Sequence, residues 1–360
     1  MPELSVESIT QLVSQHPDPE TGRPIGSMGQ VRDVRVDEAS VHLQLGITSH
    51  SWPIVEDVTD ALESKIIAAF PGTEVGIETL EHARPPARSG QYGMRIKSVI
   101  AVGSGKGGVG KSTVAASIAL TLSRLGSKVG LMDADVYGPS VPQLLGLSGR
   151  PAISEQQKIE PMRLPVNNMP VMSMGFLVDP DQPVIWRGPM LHRSVEQFFK
   201  DTDWGELDYL IIDMPPGTGD VALTLSQLVP IAGAVVVCTP QEVALLDAVK
   251  AIAMFRKVSI PIAGMVENMS GFLCPDNGKT YDIFGRGGAR QRAEETGIPF
   301  LGELPIDITL REAGDEGRLA DAIQQSEMSR APIESVCRAL VRNLAANAAA
   351  NPPTASLPVL

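Results

Sequence analysis

Residues 105–112 read Gly-Lys-Gly-Gly-Val-Gly-Lys-Ser and fit the phosphate-loop pattern G-x-x-x-x-G-K-[ST] at every fixed position. The flanks agree with that reading. Ser98-Val-Ile-Ala-Val-Gly103 is a β-branched run of the kind a buried parallel strand requires. Residues 113–125 are rich in Ala, Leu and Ser and predict a helix. Strand, glycine loop and helix together turn backbone N–H groups and a helix N-terminus onto a polyphosphate. Gly105, Gly107, Gly108 and Gly110, with Val109 among them, let the backbone come close, and Thr113 follows at the helix start. Lys111 is placed to neutralise the β- and γ-phosphates, and the Ser112 hydroxyl to ligate Mg²⁺. The implied ligands are ATP and Mg²⁺.

Outward from the loop, strands and helices alternate from residue 96 to about 345. That pattern predicts an α/β fold with a doubly wound, mostly parallel sheet. Further strands are expected at 128–132, 169–173, 209–212, 233–238 and 263–267, a short one from 300, and a helix at 333–346. Ahead of it, residues 1–80 read as a small α/β domain. Helical spacing at 6–14 and 55–70 surrounds alternating runs at 31–36 and 41–45, with a closing strand at 74–78. Residues 81–95, which contain Arg-Pro-Pro-Ala-Arg-Ser-Gly, are expected to be a linker, and 346–360 a disordered tail.

Composition narrows the partners. With 30 basic and 42 acidic residues the net charge is −12, which disfavours a nucleic-acid binder. No apolar run is long enough to predict a membrane span, and the N-terminus lacks the features of a signal peptide. Three widely spaced cysteines, at 238, 274 and 337, argue for a reducing cytoplasm and against a disulfide framework.

Carboxylates fall where sheet strands should end. Leu131-Met-Asp133-Ala-Asp135 offers Asp135 to orient an attacking water and Asp133 to hold the metal shell or the loop; either could instead cap the next turn. Tyr209-Leu-Ile-Ile-Asp213 has the shape of a Walker B strand, whose carboxylate holds Mg²⁺ through water. Met214-Pro-Pro-Gly217 follows, with the Gly217 N–H available to a γ-phosphate. Asn268 offers a donor and an acceptor suited to the edge of adenine, or else shapes a turn. Arg187 is equally suited to a phosphate or to a surface ion pair.

Lys106 adds a cation that an ordinary phosphate loop does not need. The pattern K-G-G-x-G-K-[ST] resembles the deviant Walker A of the MinD/ParA/NifH class of P-loop NTPases. Together with Asp133-Ala-Asp-Val-Tyr-Gly-Pro-Ser140, Trp186-Arg-Gly-Pro189, Asp213-Met-Pro-Pro-Gly-Thr-Gly-Asp220 and Glu267-Asn-Met-Ser270, it resembles the Mrp/ApbC family of iron–sulfur cluster carrier ATPases. The front unit, with Asp18-Pro-Glu20, looks like the small iron–sulfur-assembly domain often fused ahead of this ATPase. The resemblance implies a homodimer in which Lys106 acts in trans. It implies slow hydrolysis and a labile cluster bridging the dimer, passed to apo-proteins, with assembly factors as further partners. One departure is explicit. The family carries Cys-x-x-Cys after Glu-Asn-Met-Ser; here Cys274 stands and the second position is Asn277. Two chains then offer two thiolates, where four would hold a 4Fe–4S cluster. The alternatives are a MinD/ParA-like nucleotide switch or an assembly scaffold without its own cluster. Cys238 and Cys337 read as packed thiols, and Trp52 stands where related front domains can carry a cysteine.

Overall fold

Alternating apolar and polar residues build the front unit's sheet, one face of which is buried. The computed structural model describes residues 3–136, 138–177, 188–217 and 219–351, except the side chains of 188–191. Trp186, Arg187 and the tail from 352 lie outside these residues. The chain divides into two units, the first up to Arg84 together with the chain from Val341, the second Pro85–Leu340.

In the first unit, helix α1 (Val6–Ser14) begins at a capping box, in which the Ser5 and Ser8 hydroxyls each accept the other's backbone N–H. Strands β1 (Val31–Asp37) and β2 (Ser40–Ile47), helix α2 (Val55–Ala69) and strand β3 (Glu74–Glu81) follow. The sheet order is β1-β2-β3, antiparallel then parallel. Val41, Leu43 and Leu45 of β2 pack with Ile9, Val13, Leu62 and Ile66 of the two helices.

The second unit starts with β4 (Ile96–Gly103), α3 (Lys111–Arg124), β5 (Val129–Asp133), α4 (Val141–Leu145), three two-residue strands β6 (Ala152–Ile153), β7 (Ile159–Glu160) and β8 (Met162–Arg163), and β9 (Pro170–Ser173). It continues with α5 (Gly188–Asp201), β10 (Leu207–Asp213), α6 (Gly219–Leu228), β11 (Gly233–Cys238), α7 (Glu242–Lys257), β12 (Ile262–Leu273) and β13 (Thr280–Tyr281). Helix α8 (Gly288–Thr296), β14 (Phe300–Ile306), α9 (Ile308–Asp315), α10 (Leu319–Gln325) and α11 (Glu327–Ala350) complete the chain. The sheet runs β13-β12-β11-β4-β10-β5-β9-β8, with β14 also on β12. Its body is parallel, and β8 and β13 are antiparallel additions. From β4 the chain crosses β10 to reach β5, then returns to fill β10 and β11. Strand ends around β4 therefore form the crevice at which doubly wound sheets bind ligands. Val99, Ala101, Leu210, Ile212 and Val236 carry the core between the sheet and Phe198, Phe199 and Phe255 of the helices.

Three expectations are corrected. Residues 346–350 are not disordered but finish α11, as an alanine-rich run with high helix propensity would. The segment 81–95 is not all free linker: Ser89 and Met94 bridge, and the Gln91 amide donates to the Leu228 carbonyl at 2.9 Å. Strand β12 does not end at 267 but continues to Leu273, through left-handed backbone at Met269 (φ 59°) and Gly271 (φ 76°).

Candidate functional site

Strand β4 delivers the glycine loop to the centre of the sheet's C-terminal edge, and α3 starts directly after it. The helix is preceded by Gly110 in the left-handed region (φ 79°), an N-cap with no side chain of its own to accept from the first amides. Those amides are left to a ligand. Two glycines here are steric requirements. A Cβ on Gly105 would sit 2.0 Å from the Asp247 carbonyl oxygen, and one on Gly110 2.2 Å from Asn268 Nδ2. Gly107 and Gly108 are exposed, Val109 is buried, and Lys106 is half-exposed with no ion pair to any described residue.

Beneath the loop lies a buried charge cluster. Lys111 Nζ donates to Asp213 Oδ1 at 2.5 Å and to Ser112 Oγ at 3.2 Å, and lies 3.5 Å from Asp135 Oδ2. Asp213 and Asp133 are register partners at the ends of adjacent parallel strands, both 0% exposed. Burial, then the neighbouring Asp213 carboxylate, push the Asp133 carboxyl up to about 8. Burial also raises Asp213, against the pull of Lys111 and the Ser112 hydroxyl. The two differ in how their oxygens are used. Asp133 accepts from the Asp135 amide (3.1 Å), the Val141 amide (3.3 Å) and the Ser173 hydroxyl (2.9 Å). Of the uses expected for it, these bonds fit fastening the loop and capping the turn that follows β5. Asp213 Oδ2 is buried with no hydrogen-bond partner among the described residues. An orphaned carboxylate oxygen near the Ser112 hydroxyl fits a hydrated Mg²⁺, so the residues present suit the ion.

Gly217 and Asn268 sit at the loop in arrangements the motif did not specify. The Gly217 N–H donates to the Ser104 carbonyl at 3.2 Å, so it reaches a phosphate only if that bond opens. Asn268 Nδ2 donates to the Val109 carbonyl at 2.9 Å. Thr113, Asn268, Leu304 and Pro305 line one narrow pocket beside α3.

Cys274 lies in the turn that follows β12. Its N–H donates to the Lys279 carbonyl and its carbonyl accepts from Gly278, both at 2.9 Å. Asn277 shapes the same turn: Oδ1 accepts the Lys279 amide at 2.9 Å and Nδ2 donates to Tyr281 Oη at 3.2 Å. No three His, Cys, Asp or Glu side chains converge on a metal position among the described residues. Cys238 and Cys337 are buried; burial raises both thiols, Cys238 to about 12.

One residue of the site was missed by sequence reasoning. Glu267 is fully buried at the bend of β12. Oε1 accepts from the Ser270 hydroxyl (2.6 Å) and the Gly287 amide (2.8 Å), and Oε2 from the Ala289 amide (2.7 Å) at the start of α8. Its signal in the sequence was an acidic residue at a strand end, twenty residues before a glycine-led helix.

Both units of the chain are similar to known proteins. A family model described as NUBPL iron-transfer P-loop NTPase matches residues 95–343, and one described as iron–sulfur cluster assembly protein matches 7–78. An iron–sulfur cluster carrier protein of Deinococcus radiodurans is 41% identical over 358 residues, covering 98% of this chain and 99% of that one. One of Synechocystis is 44% identical over 322 residues, covering 87% and 90%. A nucleotide-binding protein of Archaeoglobus fulgidus, solved with ADP, superposes with a TM-score of 0.58 at 40% identity, covering 66% of this chain and 92% of that one.

Proposed function

The chain belongs to the NUBPL iron-transfer P-loop NTPases, and on that premise we propose that it is a cytosolic, homodimeric, slowly hydrolysing ATPase that carries iron–sulfur clusters to apo-proteins. The observation that carries the nucleotide half is the buried Lys111–Asp213 pair with its orphaned oxygen. ATP would draw Lys111 from Asp213 onto the phosphates, and the freed carboxylate, with the Ser112 hydroxyl, would hold Mg²⁺. The ion when bound neutralises charge between the β- and γ-phosphates. Asp135 would then orient the attacking water, and Asn268 with its pocket would receive the base.

Lys106 of the partner subunit would complete the site. Lys106, which makes no ion pair with a described residue, supports this reading, and so do exposed apolar side chains. Val243 and Leu246 are exposed on α7, the helix whose Asp247 carbonyl abuts Gly105. Leu273, Tyr281, Ile283 and Phe284 are exposed around the Cys274 turn. A second copy covering them would buttress the nucleotide and set two Cys274 thiolates to hold the cargo cluster. A specific observation favours a second reading. Asn277 is engaged in the turn, so the chain would be a nucleotide switch or assembly scaffold without its own cluster.

The test is ATP turnover with and without Mg²⁺, at several protein concentrations. Magnesium-dependent turnover that rises faster than linearly with concentration is expected. Lys106→Ala should keep nucleotide affinity and lose most of the turnover. Equal loss of affinity in Lys106→Ala and Lys111→Ala would sink the trans role.

A further inference from the structure

We propose that Glu267, Asn268 and Met269 are positioning residues that set the Cys274 turn according to the state of the phosphate loop. The proposal rests on the nucleotide-site reading above and adds the route by which that site acts on the thiol.

The strand that carries the first end of the route leads directly into the second. Asn268 holds the loop through the Val109 carbonyl, and its amide nitrogen fills the space beside Gly110. Met269 Cε lies 3.7 Å from the position of a Cβ on Gly110. A shift of the loop on binding phosphate therefore moves against both side chains. Six residues after Asn268, in the turn into which β12 runs, is Cys274. Between them the strand bends rather than running straight. Met269 adopts φ 59°, a left-handed conformation rare for an unbranched non-glycine residue outside turns, and Gly271 adopts φ 76°. The β12–β14 register shifts over the same residues, between Asn268 and Phe272. Such a bend persists only where the surroundings hold it.

Glu267 is what holds it. Its three accepted hydrogen bonds tie the bend to the Ser270 hydroxyl on one side and to the N-terminal end of α8 on the other. A carboxylate at a helix N-terminus is well placed electrostatically, and its burial excludes competing water. The bend thus has a sensor at the loop, a strained residue that prefers another backbone conformation, and an anchor that fixes the outgoing strand. These are the parts of a two-state element that both sites can bias.

The buried state of Cys238 and Cys337 supplies the readout, because a thiol reagent acting on the native chain reports Cys274. The experiment measures maleimide labelling of the full-length protein, nucleotide-free and saturated with Mg²⁺ and a non-hydrolysable ATP analogue. Nucleotide occupancy is measured separately, and each rate is taken at two protein concentrations. In the wild type the two rates should differ by about fivefold or more, the lower end of ordinary site–site coupling. The difference should persist on dilution. Met269→Gly accepts the left-handed backbone without strain, so it should fold and bind nucleotide while the two rates converge. Glu267→Gln leaves one of the amides at α8 without an acceptor and should speed labelling in both states. Bound nucleotide with unchanged wild-type labelling would overturn the hinge alone. So would a difference seen only at the higher concentration, which would assign it to burial between copies, or a full difference surviving in Met269→Gly. Absence of nucleotide binding would overturn the hinge together with the reading on which it rests.

Discussion

Each unit of this protein buries a carboxylate at the heart of a polar cluster, and the two are treated in opposite ways. In the front unit Asp18 is satisfied on every side. Its oxygens accept from the Thr21 amide (3.1 Å) and hydroxyl (2.7 Å), from Gln30 Nε2 (3.0 Å) and from Arg84 Nη1 (2.6 Å). Burial pushes its carboxyl up, but the hydrogen bonds and the Arg84 charge outweigh that and hold it below the usual range. In the second unit Asp213 has one oxygen on Lys111 and the other orphaned, and burial holds it above the usual range. A carboxylate whose bonds are complete fastens a fold. One left with an unmet bond, beside a lysine at the start of the phosphate-loop helix, is kept ready for something else.

The largest effect should come from breaking the unfinished cluster. Lys111→Ala should lower ATP affinity on the order of a hundredfold or more, as for removing a buried charge partner (about 2–5 kcal/mol). The unit should stay folded, which far-ultraviolet circular dichroism and titration calorimetry would show together. Global unfolding instead would place this cluster in the same structural class as Asp18. Next, Asp18→Asn should destabilise the front unit by about 3–5 kcal/mol, because Arg84 loses a buried partner. Hydrogen exchange in β2 would speed, while ATP affinity stays within about twofold, the ordinary range for a site outside the ligand's contacts. Loss of ATP affinity in that variant would erase the distinction.

The subtlest expectation concerns pH, measured without nucleotide or magnesium. Asp18 has a folded pKa below its unfolded one, so its contribution is present above the ordinary carboxylate range and is lost as pH falls through the folded value. Asp133, raised to about 8, behaves in the reverse sense. Between the ordinary carboxylate range and about 8 the unfolded chain has released a proton that the folded chain keeps, so stability falls as pH rises through that window. Hydrogen exchange should therefore show β2 loosening in acid and β4 and β5 loosening towards mild alkali. Parallel slopes would contradict the comparison.

The sequence disclosed the parts of the molecule whose physics is local. The run 98–103, the glycine loop and the Ala-rich stretch after it announce strand, loop and helix, because burial on both faces, backbone approach and helix propensity all act within a few residues. Asp213 was legible for the same reason, as a carboxylate ending an apolar strand. What stayed hidden depends on distant partners. Asp18 and Arg84 are 66 positions apart, and nothing in Arg-Pro-Pro-Ala-Arg marks which arginine reaches back. Glu267 accepts from the Ala289 amide at the start of α8, twenty-two residues on. Strand β12 was expected to stop at 267 because a left-handed Met269 leaves no compositional trace. Asn277 was read for the thiolate it lacks; its hydrogen bonds to Lys279 and Tyr281 show what the side chain does in the turn.

On the function proposed above, a nucleotide switch of this design handles iron–sulfur cargo with one accessible cysteine per chain. Anaerobic cluster reconstitution of the wild type beside Cys274→Ala tests it directly, with iron and acid-labile sulfide counted per dimer and transfer to an apo-acceptor followed with and without Mg·ATP. A transferable cluster in the wild type, its loss in the variant, and transfer that responds to the nucleotide are expected. A wild type that hydrolyses ATP but assembles no cluster, or a Cys274→Ala variant that carries one equally well, would contradict it.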